Sequence, residues 1–122
     1  MRRRTTINMF TNDGKPLVST DCDSDGYPLV RVRGEIDVSN ADQLAAALEA
    51  AIRPRPARMV IDLSETTFMD GAAVGRIVAL RREVSTGQCS IVLRHPQAIV
   101  RRLIDVLGVD RLCEVEDLEG VS

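Results

Sequence analysis

Apolar residues recur along the chain with two different spacings, and the alternation of these spacings predicts the secondary structure. Spacings of three and four residues, typical of one helix face, mark the segments 40–52, 73–84 and 96–107. Short, mostly apolar runs are typical of strands, and they lie at 59–63, 90–93 and 112–115. The sequence therefore predicts helices and strands in alternation over most of its length.

A turn signal precedes the first predicted helix. Asp25 and Gly26 separate two short extended pieces, and a type of turn that needs positive φ suits this pair. In the second piece Val30 and Val32 alternate with arginines. We therefore expect a hairpin whose second strand has one polar face.

The order of these elements predicts an α/β fold. Parallel strands need crossover connections, and the predicted helices supply them. We expect a mixed, mostly parallel sheet of about four or five strands that starts with the hairpin and packs against about three or four helices. The predicted division of the chain is an N-terminal arm or edge strand at 1–16, one domain at 17–116 and a C-terminal tail at 117–122.

Residues at the predicted helix ends are suited to capping. Ser39 with Asp42, or Asn40 with Gln43, fits a capping box at the start of the first helix. Gly87 is expected to end the second helix. The third helix opens with a proline and is predicted to bury an apolar stripe formed by Ile99, Val100, Leu103, Ile104 and Leu107.

Composition and charge exclude several classes of protein. The 122 residues are 44% apolar and 28% charged, as in soluble globular domains. The balance of 16 basic and 18 acidic residues, with no Trp and one Tyr, does not favour nucleic-acid binding. Because no apolar run approaches the roughly 20 residues that span a bilayer, we expect a cytoplasmic protein without direct membrane insertion.

Candidate catalytic residues are few. Cys89 and His95 are open to two interpretations, as a nucleophile with its base or as a structural thiol and a loop histidine. The cysteines, which also include Cys22 and Cys113, are too widely spaced for a zinc site or a disulfide framework. Glycine-rich phosphate loops and metal-loop spacings are absent from the sequence. We therefore predict no enzymatic activity, no cofactor and no metal.

Aspartates stand near the ends of three predicted elements, at Asp37, Asp62 and Asp70. In one interpretation they gather at one edge of the sheet. In the other they are ordinary caps, a role for which aspartate is common.

Several segments resemble, in order and spacing, one known family. Residues 30–37 form an apolar strand followed by Gly-Glu-Ile-Asp, and residues 60–64 and 67–70 form a second strand with its loop. Residues 103–112 resemble a closing helix and strand. These motifs are similar to those of the STAS domain, the sulphate-transporter and anti-sigma-factor-antagonist domain, over residues 17–116.

The resemblance implies a binding module that captures an anti-sigma factor of the ATP-using serine kinase type and so releases a sigma factor. In the family, the kinase phosphorylates a Ser or Thr directly after the loop aspartate. Here Asp70 is followed by Gly71, Ala72 and Ala73, so this position has no phosphate acceptor. One hypothesis is an antagonist that is not switched off by phosphorylation there; the other is that small residues are merely tolerated. Alternative acceptors just upstream are Ser64, Thr66 and Thr67.

The resemblance also implies the contact residues. The start of the second helix forms the centre, with Asp37 and Ser39 beside it, and Arg76 is expected to pair with acidic groups of the partner. The full predicted set is Asp37, Ser39, Asp70, Gly71, Ala72, Val74, Gly75 and Arg76.

Further hypotheses concern regulation and pathway. Cys89 precedes one predicted strand and Cys113 lies in another, so they either form a redox-regulated disulfide or are inert buried thiols. The alternative function is a STAS accessory subunit of a membrane lipid transport complex or of a stress-sensing assembly. Whether the chain forms a homodimer is left open by the sequence.

Overall fold

The computed structural model describes residues 16–84 and 88–117. Its helices and strands follow the order predicted from the sequence. Within these ranges there are five strands, three α-helices and one 3₁₀ turn. They are β1 (Val18–Cys22), β2 (Pro28–Ile36), α1 (Ala41–Ile52), β3 (Arg58–Met69), α2 (Gly71–Glu83), β4 (Ser90–Arg94), α3 (Ala98–Val106), the 3₁₀ turn (Val109–Arg111) and β5 (Glu114–Glu116). Of the predicted arm and tail, the structure describes only Pro16 and Asp117.

The strands form one mixed sheet in the order β1-β2-β3-β4-β5. β1 and β2 are antiparallel, and each later pair is parallel. The hairpin turn is held by Asp23, whose carboxylate accepts the N–H groups of Asp25 and Tyr27 at 2.9 Å. Gly26 has a φ of 87°, which suits glycine. The predicted α/β class and the hairpin are confirmed.

The core lies on one face of the sheet. Because successive side chains of a strand point to opposite faces, Val30, Ile61 and Ile91 share a face, and α1, α2 and α3 pack against it. Parallel connections that all step the same way along the sheet place their helices on the same side. The helix residues of this core are Ala41, Leu44, Ala47, Leu48, Ala51, Ala73, Val74, Ile77, Leu80, Val100 and Ile104.

The opposite face of the sheet carries a short row of apolar residues and, next to it, a row of charged residues that we call the charged ladder. Leu29, Val60 and Val92 are paired across three strands and are almost fully buried. The neighbouring row alternates in charge, through Arg31, Asp62, Arg94 and Glu116. The guanidinium of Arg58 lies 3.5 Å from Glu116, two strands away, so its stem crosses β4. Long side chains therefore shield apolar surface on this face.

β3 is longer than predicted. The sequence placed a loop after residue 63, whereas the strand continues to Met69. β2 pairs with this extension as far as Ile36 opposite Met69, and a register shift lies between Gly34 and Glu35. Thr66, in the extension, is fully buried and donates its hydroxyl to the carbonyl of Val32 at 2.8 Å. Pairing with β2 and this buried bond hold polar residues in a strand.

Two predictions about helix ends were wrong. Asn40 is the N-cap of α1, yet its side chain bonds the Asp37 N–H and the Glu35 carbonyl, so neither predicted capping box forms. α3 begins two residues after Pro96, with Gln97 as N-cap. The predicted C-cap Gly87 lies outside the described residues, and α2 ends at Glu83.

The buried face of α3 was only partly predicted. Val100 and Ile104 are buried, as expected, and Leu103 is partly buried. Ile99 and Leu107, predicted to be in the core, are 57% and 50% exposed. The sheet beneath α3 is narrow, since β5 has three residues. The sheet therefore covers only two turns of α3, and the apolar residues at the ends of the predicted stripe stay exposed.

Candidate functional site

Asp70 connects two segments at the carboxyl end of the sheet. One carboxylate oxygen accepts the N–H of Ala73 at 3.0 Å and so caps α2. The other accepts the N–H of Val38, in the loop between β2 and α1, at 3.2 Å. The Asp70 N–H donates to the carbonyl of Ile36 at 3.1 Å. The position of the loop is therefore tied to the start of α2 by one side chain.

The loop between β2 and α1 is held by its own polar side chains. Ser39 donates both its N–H and its hydroxyl to one carboxylate oxygen of Asp37. These bonds, led by that of the hydroxyl, lower the pKa of Asp37 below its ordinary value. Asn40 bonds the backbone on both sides, at the Asp37 N–H and the Glu35 carbonyl. The loop is thus preorganised in a fixed conformation.

The exposed residues around Asp70 are small or apolar. Gly71, Ala72 and Gly75 lie exposed on the first turns of α2, and a Cβ built on either glycine meets nothing within 4 Å. Val38 is 77% exposed. Phe68 is 39% exposed but points to the opposite face of the sheet from its buried neighbour Met69. We call Asp37, Val38, Ser39, Asp70, Gly71, Ala72 and Gly75 the loop–helix surface. It combines an apolar anchor, Val38, with a face that another backbone can approach closely.

The structure brings together some of the predicted contact residues and not others. Asp37, Ser39, Asp70, Gly71, Ala72 and Gly75 belong to the loop–helix surface. Val74 is only 2% exposed and packs in the core on the inner face of α2, so it does not belong to this surface. Arg76 already forms an ion pair with Asp42 of α1. Its charge therefore links two helices of the same chain.

The aspartate cluster proposed from sequence forms only in part. Asp37 and Asp70 lie in adjacent segments joined through Val38. Asp62 lies within β3. Its Oδ2 is 3.8 Å from Nε of Arg31, and its Oδ1 accepts the N–H of Ser64 at 2.9 Å. It belongs to the charged ladder of the opposite face, not to the loop–helix surface.

Two exposed apolar residues, Val38 of the surface and Phe68 of β3, were missed by sequence reasoning. Val38 stands in a polar loop, and an isolated valine between Asp37 and Ser39 is the signal that would have indicated it. Phe68 was included in a predicted loop, and its exposure depends on the extension of β3. Such exposure follows from tertiary packing, which local pattern does not report.

The alternative phosphate acceptors differ in access. The hydroxyl of Thr66 is buried and bonded to the carbonyl of Val32, so a kinase cannot reach it in this fold. Ser64 and Thr67 are exposed on β3. Neither occupies the first turn of α2, where the family acceptor lies.

Cys89 and Cys113 are buried and weakly ionised, whereas Cys22 is partly exposed. Burial raises the pKa of Cys89 and raises that of Cys113 to about 11, although Arg81 lowers both values. Both thiols are free, and Cys113 lies just before β5 rather than within the predicted strand. Extending the β4–β5 register puts Cys113 opposite Ile91, so its Cα lies about 8 Å from that of Cys89 by strand geometry. A bond between them requires backbone movement, because disulfides rarely span more than about 7 Å.

No catalytic pair is assembled from Cys89 and His95. They lie at opposite ends of β4, about 20 Å apart by the rise of a strand. His95 has a φ of 53° and donates its N–H to the Glu116 carbonyl at 2.7 Å. His95 is a loop residue directly after β4, and its backbone hydrogen bond to Glu116 links the ends of β4 and β5.

Two further observations concern the described ranges alone. Across residues 16–84 and 88–117, no three His, Cys, Asp or Glu side chains are grouped so that they could hold a metal ion. None of the helices in the same part of the chain is long and apolar enough to cross a membrane.

Comparison with known proteins identifies the family. A family model described as Mlab, STAS domain, matches residues 22–115. The chain belongs to the STAS domain family. The match spans the sheet from the end of β1 to β5 and includes the loop–helix surface. The resemblance found in the sequence motifs is confirmed.

Relatives of this STAS domain include named regulators. The anti-sigma-B factor antagonist of Listeria monocytogenes is 29% identical over 89 residues, which cover 73% of this chain and 78% of the relative. The anti-sigma-F factor antagonist RsfB of Mycobacterium tuberculosis is 27% identical over 96 residues, covering 78% and 77%. These proteins are similar to this chain over nearly the whole domain.

Solved structures share the fold. An anti-sigma factor antagonist from Mycobacterium paratuberculosis superposes with a TM-score of 0.72 at 26% identity, covering 91% of this chain and 92% of its own. Unphosphorylated SpoIIAA, an anti-sigma factor antagonist, gives 0.58 at 19% identity and covers 78% and 96%. At that identity the second match supports the fold alone.

Proposed function

We propose that this STAS domain is an anti-sigma factor antagonist that binds an anti-sigma factor through the loop–helix surface and so releases a sigma factor for transcription. The names of its relatives support the class of function. The single observation that carries the surface is the bond from the Val38 N–H to Asp70, which joins two exposed segments into one preorganised face. The partner is proposed to be of the serine kinase type, and the protein a cytoplasmic binding module rather than an enzyme.

The shape of the surface suits a close protein contact. Gly71, Ala72 and Gly75 have no long side chains, so a partner can approach the backbone of α2. Val38 is mostly exposed in the free protein, and its full burial against a partner stabilises a complex by roughly 1.5 kcal/mol or more. Because Asp70 fixes the loop before binding, little conformational entropy is lost on association.

The missing hydroxyl determines how the proposed complex is controlled. A phosphate at the start of α2 would add nearly two negative charges beside Asp70 and Asp37, in the middle of the surface. Gly71 cannot carry it, nor can Ala72 or Ala73. The antagonist is therefore proposed to stay competent for binding when its kinase partner and ATP are both present.

The test is a charge placed on the surface. Gly71→Glu is expected to lower affinity for the anti-sigma factor at least about tenfold, or about 1.4 kcal/mol, by placing a charge in the contact. The fold is expected to be retained, since the site has room and a carboxylate suits a helix N-terminus. Gln88→Glu, which adds the same charge at the other end of the sheet, is the control. Equal affinity of both variants would place the contact elsewhere.

A second candidate function is an accessory subunit of a membrane lipid transport complex or of a stress-sensing assembly. It is favoured by the description of the matching family model, Mlab, STAS domain, which does not mention sigma factors. Capture from the source lysate with the native chain and with Gly71→Glu, followed by mass spectrometry, separates the candidates. Loss of an anti-sigma factor with the variant supports the first function; recovery of transporter subunits instead would establish the second.

A further inference from the structure

A cleft opens at the amino end of the parallel strands, between the loop that follows α1 and the start of β4. Its volume is about 520 Å³, within the range of small-molecule sites in proteins. We call it the amino-end cleft. The loop–helix surface lies at the carboxyl end of the same strands and shares no residue with the cleft. A ligand in the cleft would therefore leave that surface free.

One part of the amino-end cleft is apolar. Ile52, Pro56 and Val84 are partly buried there, and Cys89 is only 5% exposed. Burial raises the pKa of the Cys89 thiol, so the thiol is protonated at neutral pH and adds no charge to this part. An apolar group of a ligand can therefore be removed from water against these side chains.

Two arginines supply positive charge to the cleft. Arg53 and Arg55 are both exposed and line it. Neither has a carboxylate partner among residues 16–84 and 88–117. Guanidinium groups bind phosphate and carboxylate through paired hydrogen bonds, which are among the strong ones in proteins. Two unpaired guanidiniums on one short loop match a dianion better than they match a single negative charge.

The backbone holds Arg55 in a conformation that arginine rarely adopts. Its φ is 57°, in the left-handed region. Its N–H donates to the carbonyl of Ile52 at 2.9 Å, and Pro54 and Pro56 restrict the loop on both sides. Glycine would take up this geometry without strain. The arginine is therefore better explained by its side chain than by the turn.

Two further polar residues limit how an anion can lie in the cleft. Gln88, on the β4 side, offers an amide that can donate and accept hydrogen bonds. Glu83, at the end of α2, repels any negative group placed beside it. The negative group of a ligand is therefore directed to the arginines, and the uncharged part of the ligand to the rest of the cleft.

We infer that the amino-end cleft binds a small organic phosphate, with the phosphate on Arg53 and Arg55 and an apolar or aromatic body against Ile52, Pro56 and Val84. The two charges of a phosphate match the two guanidiniums, and the apolar lining distinguishes an organic phosphate from the free ion. The site is independent of the proposed binding of an anti-sigma factor, because it lies at the other end of the sheet.

An NMR titration of the full chain in a phosphate-free buffer tests the site. The probe is phenyl phosphate, which joins a dianion to an apolar ring, and inorganic phosphate and phenol each supply one part alone. Phenyl phosphate is expected to shift the amide signals of Arg55, Val84 and Cys89, and to bind at least about tenfold more tightly than either part. Equal binding of inorganic phosphate would indicate an adventitious ion only. That result, equal binding of phenol, or unchanged cleft signals would overturn the proposal.

Two variants of Arg55 test the role of the side chain. Arg55→Gln is expected to weaken phenyl phosphate binding at least about fivefold. Arg102→Gln is the matched control, since Arg102 is exposed on α3, outside the cleft, and has no carboxylate partner in the described ranges. Arg55→Gly is expected to bind as weakly as Arg55→Gln while resisting urea at least as well as the native chain, because glycine suits this φ. Equal weakening by Arg102→Gln would show unspecific attraction to positive charge, and a large loss of stability in Arg55→Gly would show that the turn itself needs the arginine. Either result would contradict the proposal.

Discussion

Asp70 offers the sharpest test of how the loop–helix surface is built. Asp70→Ala removes the cap bond to Ala73 and the bond to Val38 together. Loss of an N-cap costs about 1 kcal/mol, and loss of a hydrogen bond to a charged group at a half-exposed site costs about another. We expect a decrease of about 2 kcal/mol in the free energy of unfolding, which corresponds to a decrease of roughly 8 °C in Tm for a chain of this size.

Asp70→Asn separates the two contributions. The amide oxygen still accepts the Ala73 N–H, because asparagine is as good an N-cap as aspartate. The other end of the side chain becomes an NH₂ group, which cannot accept the Val38 N–H. About half of the loss is therefore expected for Asp70→Asn, with the helix start intact and the loop released.

Urea denaturation gives the free energies, and amide hydrogen exchange at Val38 reports on the loop directly. Faster exchange at Val38 is expected in both variants, whereas faster exchange at Ala73 is expected only in Asp70→Ala. The reasoning would be refuted if the two variants lost equal stability, or if exchange at Val38 stayed as slow as in the native protein.

Two further predictions concern the same surface. Ser39→Ala is expected to raise the pKa of Asp37 part of the way to its ordinary value, since the backbone N–H bond remains. A carboxyl group whose pKa is lowered by folding stabilises the folded protein, and this stability is lost as the pH falls through that pKa. The native protein is therefore expected to lose its stability advantage over Ser39→Ala below about pH 4. An NMR titration in which Ser39→Ala leaves the pKa of Asp37 unchanged would contradict this. Gly71→Ser is expected to fold at least as stably as the native chain. It is also expected to gain one phosphoryl group from a cognate kinase with ATP, which mass spectrometry of both proteins checks. Phosphate on the native chain between residues 70 and 75 would be incompatible with the proposal.

The elements predicted best from sequence are those in which local pattern and tertiary packing agree. The predicted bounds of α1 agree with the observed ones to within one residue. The reason is that its apolar face, formed by Leu44, Ala47 and Leu48, is wholly buried. β4 has three consecutive buried residues between polar ones, which is what its pattern indicated. In such segments the spacing of apolar residues carries nearly all the information.

The elements predicted poorly are those that depend on partners distant in sequence. The extension of β3 is mostly polar and has no strand pattern of its own, and it is held by β2 and by the buried hydroxyl of Thr66. In α3 the apolar pattern is wider than the surface that covers it, so Ile99 was assigned to the core in error. Neither the width of a sheet nor the length of a neighbouring strand is encoded in a local window.

The same distinction applies to the candidate site. Asp70 and Gly71 were found from motif resemblance, because the family places its acceptor directly after this aspartate. The contribution of Val38 could not be found in that way, since it depends on a hydrogen bond between residues 32 positions apart. Asn40 was assigned to a cap, whereas its amide bonds both sides of the loop instead. Side chains that connect segments are the part of a site that sequence reasoning misses.

The backbone does not require glycine at position 71. Among the described glycines, positive φ values occur at Gly26, Gly34 and Gly108 but not at Gly71, and a Cβ on Gly71 meets no neighbouring atom. A helix would gain stability from almost any other residue at this place. The fold therefore does not explain the missing hydroxyl, whereas the proposed complex would: a bare backbone beside Val38 would let a partner pack against the start of α2.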